Sequence, residues 1–417
     1  MRFSSTLSGS LPVILSLSTL LGCSAAEDKP ADLDRILGSK PELSIFWNLV
    51  KNNTDYLFQL PTLGGVTLIA PNNDSFARIQ DFDAKNRTQV NALLEYHTLV
   101  GSYPLSSIAE GSRLYATTKL TDRSLTNVTA GQHATLDKQR GGDVVVTSGG
   151  GSRATLVETD VRFAGGVVHV ADALMTAPRR LEVAGLTSHR AELSAFVAAC
   201  YAAGVIPDMS DASDVTIFAP VTAAFQFLGP SLTSLDAADL RRVLRYHLVP
   251  GKVTPASALQ NGTKLSTAAG GEGGGGARLS IRRSGNQLFV NSAKVVVPDI
   301  LIANGVVHLV DGVLNPDAPD VVPDPASDAQ PPVFAVSASG TVVGGPTGAR
   351  APTPFTTALP CTANCPTPTS ASSARSTSTS VRSSSSSGVA VAAARCTGAA
   401  MAVAAAGVVG GVLRGIV

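Results

Sequence analysis

Three sequence blocks occur twice in this 417-residue chain, in the same order both times. The first, Thr67-Leu68-Ile69-Ala70-Pro71-Asn72-Asn73-Asp74-Ser75-Phe76, returns as Thr216-Ile217-Phe218-Ala219-Pro220-Val221-Thr222-Ala223-Ala224-Phe225. The second, Leu93-Leu94-Glu95-Tyr96-His97, returns as Val243-Leu244-Arg245-Tyr246-His247. The third, Gly166-Val167-Val168-His169-Val170-Ala171-Asp172, returns as Gly305-Val306-Val307-His308-Leu309-Val310-Asp311. Ordered recurrence of this kind requires two copies of one domain. They are placed at 31–180 and 181–316, each an ordinary domain length.

The blocks have a physical reading. Block one is a β-branched apolar strand halted by Pro71 or Pro220, after which a helix opens. Asn73 or Thr222, two residues past the proline, is expected to cap that helix by accepting from an unpaired backbone N–H. Block two places Val90, Leu93, Leu94 and His97, and likewise Leu240, Val243, Leu244 and His247, at i, i+3, i+4, i+7. That spacing predicts an amphipathic helix with the histidine on its buried face. Block three is a β-rich run that predicts an inner strand with His169 or His308 among apolar neighbours, and Asp172 or Asp311 starting a turn.

With these blocks the chain resembles the fasciclin domain family, over about two thirds of its length. The family carries a Thr-x-x-Ala-Pro-x-Asn-x-Ala-Phe block, a Tyr-His block and an Asn-Gly-Val-Val-His block. The second copy departs at Thr222, where Asn is usual, and the first has Ala164-Gly165-Gly166 in place of Asn-Gly. The resemblance implies an α+β fold of two tandem fasciclin-like domains, each a β-sandwich or wedge with packed helices, used outside cells for adhesion or matrix contact. It also carries Tyr96, His97, Tyr246 and His247 over as ligand-contact residues, although the chain has no Arg-Gly-Asp tripeptide and both tyrosines also read as core or domain-boundary aromatics.

Catalytic readings find less support. His97 with His169, or His247 with His308, would be the metal or acid-base pairs, yet no cysteine or other carboxylate recurs beside them at ligand spacing. The expected role is that of core histidines that join a helix to a strand by hydrogen bonds. No nucleophile elbow or His-Glu-x-x-His helix occurs. The run Gly270 to Gly276 lacks the Lys-Ser/Thr of a phosphate cradle and reads as a flexible hairpin loop, with Gly149–Gly151 as a smaller one. No metal or cofactor is expected, and the chain reads as a non-enzyme. A net charge of +1 gives no field for nucleic acid.

The ends address the chain to the secretory route. Residues 1–26 have the layout of a signal peptide, with an apolar stretch from Leu11 to Leu21 before Ser24-Ala25-Ala26. A bacterial lipoprotein reading of Cys23 is the rival. Residues 317–386 are Ser/Thr/Pro-rich and read as a disordered, O-glycosylated stalk. Small residues at Ser386, Ser387 and Gly388, a spacer and an apolar tail form a glycolipid (GPI) attachment signal, with Ser386 as the anchored residue and 387–417 removed. A transmembrane tail is the alternative. Cys361 and Cys365 are close enough in sequence for a local disulfide, and Cys200 reads as a buried free thiol. Five sequons, at Asn52, Asn73, Asn86, Asn127 and Asn261, are N-glycan candidates, Asn73 being read first as a cap.

The expectation is therefore a non-enzymatic cell-surface protein of fungal or plant type, at the outer face of the plasma membrane or in the wall. Its partners would be matrix or wall glycans or surface proteins, with a lipid anchor to the membrane. A vacuolar or secretory-pathway protein and an enzyme of unrecognised type are the alternatives.

Overall fold

The computed structural model describes residues 32–78, 82–270, 277–334 and 353–360. The signal segment, Cys361 with Cys365, Ser386 and the tail lie outside the described residues, as do Gly271 to Gly276.

The first domain opens with three short helices, α1 (Leu33–Gly38), α2 (Ser44–Lys51) and α3 (Thr54–Gln59). Strand β1 (Val66–Pro71), helices α4 (Asn73–Ala77) and α5 (Arg87–Tyr96) and strand β2 (Thr98–Val100) follow. A meander completes it: β3 (Arg113–Thr117), β4 (His133–Lys138), β5 (Val144–Thr147), β6 (Arg153–Phe163) and β7 (Gly166–Ala171). The second domain repeats this plan, beginning with α6 (Leu181–Leu186), α7 (Arg190–Ala202) and α8 (Ile206–Ser210). Next come β8 (Val215–Pro220), α9 (Thr222–Thr233), α10 (Ala237–Tyr246) and β9 (Leu248–Val249). It closes with β10 (Lys264–Ser266), β11 (Arg278–Ser284), β12 (Gln287–Val290), β13 (Ala293–Ile302) and β14 (Gly305–Val310).

Each domain holds a seven-stranded sheet with one order, β2-β1-β7-β6-β5-β4-β3 in the first and β9-β8-β14-β13-β12-β11-β10 in the second. Only β1 with β7 and β8 with β14 run parallel. A bridge between Leu99 and Thr118 brings the two edges of the first sheet together, so it nearly closes into a wedge.

The central strands show why apolar residues fill both of their faces. All six residues of β1 are buried. Val66, Leu68 and Ala70 point into a core with α1 to α5, whereas Ile69 points into a second core enclosed by β3 to β6. In β8, Val215, Ile217 and Ala219 face the helices and Phe218 the sheet. Period-2 alternation thus feeds two cores at once, each large side chain contributing about 1.5–3 kcal/mol by burial. Helix α5 spans the division, with Leu94 in the helical core and Tyr96 in the sheet core.

Local signals hold with three corrections. The cap of α4 is Asn72, whose side chain accepts from the Ser75 N–H at 3.0 Å. Asn73 is one residue inside the helix, and in the second domain Val221 stands at the cap with no side-chain bond while Thr222 is the first helical residue. The residue directly after each proline is extended, so the helix starts one position earlier than expected. Gly149–Gly151, expected as a flexible loop, is a packed turn: a Cβ on Gly149 would lie 2.4 Å from Pro178.

The third correction touches only part of the expected stalk 317–386, the rest of which lies outside the described residues. Residues 317–334 and 353–360 lie against the second domain, with Phe334, Phe355 and Leu359 packed on its helical core. Asn315 Nδ2 donates to Val333 O at 3.3 Å, and Arg242 pairs with Asp317. Three large apolar side chains give this stretch the packing that its bulk composition does not suggest.

Candidate functional site

The repeated histidines sit where the secondary structure leaves backbone groups unpaired. His97 ends α5. Its Nδ1 lies 2.8 Å from Leu93 O and its Nε2 lies 3.0 Å from the Met175 N–H. A carbonyl only accepts and an N–H only donates, so the proton sits on Nδ1. His247 repeats this on Val243 O at 2.8 Å and the Leu314 N–H at 2.9 Å. The strand histidines take the opposite tautomer. His169 accepts at Nδ1 from the Asp160 N–H (3.1 Å) and donates from Nε2 to Tyr103 O (3.0 Å). His308 does so with Asp299 (3.2 Å) and Thr254 O (2.9 Å).

Every ring nitrogen in these four residues is thus occupied by main chain. Burial pushes His97 and His247 down to about 4 and lowers His169 and His308 as well, so all four are neutral at pH 7. None has a lone pair free for a metal or for proton transfer. The histidines of each pair also bind separate groups. Among the described residues no cluster of three His, Cys, Asp or Glu side chains forms. Cys200 is a buried free thiol, raised by desolvation and therefore poorly nucleophilic.

The contact role implied for Tyr96, His97, Tyr246 and His247 meets a plain obstacle, since all four are at most 1% exposed. Tyr96 donates to His133 O at 3.0 Å, and Tyr246 donates to Arg278 O at 2.9 Å. In the folded domain these side chains tie helix to sheet and touch no ligand. The reading as surface contacts is corrected on burial.

Two residues of this network escape the motifs. Asp160 and Asp299 occupy bulges with φ of 60° and 61°, offer their N–H to the histidine ring, and accept from Leu105 N and Ala256 N, both at 2.8 Å. Each precedes its histidine by the same interval in both copies, and that spacing was the available signal.

The five sequons differ in their surroundings. Asn52, Asn86 and Asn261 are exposed. Asn86 caps α5 through Oδ1 and Asn261 accepts from the Arg283 N–H through Oδ1, so neither bond engages the Nδ2 that a glycan would take. Asn73 differs, because its Nδ2 donates to Pro41 O (2.9 Å) and Ser44 Oγ (3.0 Å). Thr222 has the matching place against Ser194 and Ala195. These side chains latch the helix after the central strand to the N-terminal helices.

Asn127 lies in the junction between domains. The turn after β13 docks on the segment between β3 and β4. Ala303 O accepts from the Asn127 N–H (2.8 Å), the Thr126 hydroxyl (2.9 Å) and Gln132 Nε2 (3.3 Å). Asp214 accepts from the Thr129 N–H at 2.8 Å, and Asn127 Nδ2 donates to Asp211 O at 3.2 Å. Arg113 joins Asp137 of its own domain (2.5 Å) to Asp299 of the second (3.4 Å).

Two tandem wedges, each with a nearly closed mixed sheet and a helical cap, define the class. The family description "Fasciclin domain" matches residues 41–177 and 191–316, and the chain belongs to that family. A fasciclin-like arabinogalactan protein of Arthroderma benhamiae is 28% identical over 308 residues, which covers 72% of this chain and 70% of that protein. One from Phaeosphaeria nodorum is 30% identical over 291 residues, 68% of this chain and 88% of that one. A solved FAS1 domain pair from the insect cell adhesion molecule Fasciclin I is 18% identical, with a TM-score of 0.32 over 67% of this chain and 99% of that one.

Proposed function

We propose that this is a non-enzymatic cell-surface protein that presents two fasciclin domains to the cell wall or matrix, carried on a glycosylated stalk and held by a lipid anchor at Ser386. The observation that carries the reading is the use of all four repeated histidines in main-chain bonds, which leaves the repeated motifs building the fold rather than a reaction centre. Exposed sequons at Asn52, Asn86 and Asn261 support an extracellular surface, and the similarity to fungal fasciclin-like arabinogalactan proteins supports a wall setting. The partners would be wall glycans or surface proteins.

Cell fractionation with phosphatidylinositol-specific phospholipase tests this. The protein is expected at the surface and is released by the enzyme. Retention in a vacuolar fraction would overturn the surface reading, and resistance to release would favour a transmembrane tail.

A further inference from the structure

The junction between the domains is more than a contact. Two chambers open there, of about 750 and 250 Å³, and both are walled by Arg113, Asp137, Gln139, Pro298 and Asp299. The Arg113 ion bridge is therefore their common partition. The larger chamber adds Lys138, Arg140 and Arg283, and the smaller adds Arg153. Five cations against two carboxylates meet in one cleft of a chain whose net charge is only +1.

These cations are of two kinds. Lys138 donates to Leu105 O and Ile108 O, both at 3.0 Å, and Arg283 holds Leu259 O and Ala256 O, so these two are fixed in place. Arg140 and Arg153 are exposed, and their side chains make no hydrogen bond or ion pair among the described residues. Asn286 and Ser257 add neutral polar groups to the larger chamber. His189 Nε2, shielded from solvent and without a partner, lies on the smaller one.

We infer that this cleft binds an acidic oligosaccharide, its carboxylate or phosphate groups met by Arg140 and Arg153 and its hydroxyls by Asn286 and Ser257. The chambers fall near the size of ligand clefts, about 300–1,000 Å³. No Phe, Tyr or Trp lines either one, so neutral sugar rings have no stacking face, and charge must supply the affinity. The inference rests on the wall-contact reading and names its ligand class and its site.

Calorimetry on the whole mature protein tests it, with four probes: a polyuronate hexamer, a phosphorylated mannan oligosaccharide, neutral mannohexaose and a polyglutamate peptide of matched charge. Binding of the polyuronate or the phosphomannan is expected, weakening as salt is raised. The stronger of the two identifies the anion. Arg140→Ser with Arg153→Ser is expected to weaken binding at least tenfold with an unchanged melting temperature. Arg123→Ser with Arg162→Ser, which removes equal charge from exposed positions away from the cleft, should leave binding as it was. Equal loss in both double variants, equal binding of the peptide, or no binding of either acidic sugar overturns the cleft. A protein found at the cell surface that binds neither acidic sugar defeats the cleft alone, whereas absence from the surface defeats the wall-contact reading.

Discussion

At the scale of single residues, the core histidines make stability depend on acidity. His97 and His247 are held near 4 in the fold, against an ordinary value near 6.5 when the chain is unfolded. Between those values the unfolded chain takes protons that the folded chain refuses, so stability is full above pH 6.5, falls towards pH 4 and then levels off. The expected loss is about 2 kcal/mol per histidine by pH 5. Urea midpoints measured from pH 7 to 4.5 check this, and flat midpoints would contradict it. His247→Ala should cost about 3–5 kcal/mol at pH 7, since Val243 O and the Leu314 N–H lose their partner inside the core. Glycan mapping by mass spectrometry should find sugar at Asn52, Asn86 or Asn261 and none at Asn73, whose Nδ2 is committed to Pro41 and Ser44. A glycan at Asn73 would show that the latch does not form.

Among elements, the repeated glycine at the start of β7 and β14 has the clearest role. Gly305 has φ of 157°, and a Cβ there would stand 1.9 Å from Val215 O on the parallel neighbour; Gly166 makes the same approach to Val66 O at 1.8 Å. Gly305→Ala is therefore expected to abolish folding of the second domain, seen as loss of one unfolding transition by calorimetry. A variant with two intact transitions would rule out that close approach. The sequence revealed these strands and helices because each motif serves its own domain's main chain, so both copies kept it. It misplaced the cap by one residue, because Asn72 and Asn73 are chemically alike and only the backbone tells them apart. The docking of the domains was hidden for a different reason. Its main acceptor is the carbonyl of Ala303, and a carbonyl leaves no mark in residue type. The cleft's cations were hidden too: four lie along the first domain's meander from Arg113 to Arg153, and the docking sets Arg283 of the second domain beside them.

For the whole molecule, the junction holds two domains in register through a few hydrogen bonds and one ion bridge. Gln132→Ala removes two donor contacts to Ile302 O and Ala303 O, and should loosen the pair while leaving each domain folded. Small-angle scattering should then report a larger radius of gyration with unchanged unfolding transitions, and an unchanged radius would assign the docking to other contacts. The order of synthesis gives Asn127 a further meaning. Domains of one chain fold as they emerge, so the first wedge is complete while the turn at Ala303 is still unmade. Asn127 is bare for roughly 180 residues of elongation, about 10 to 35 s at ordinary translation rates. If the Asn127 sequon is used, a glycosyltransferase and the arriving second domain would compete for that one side chain during the interval. A molecule whose sugar wins that race carries two sound domains that cannot close on each other, so the timing of one modification would sort the population into docked and splayed forms.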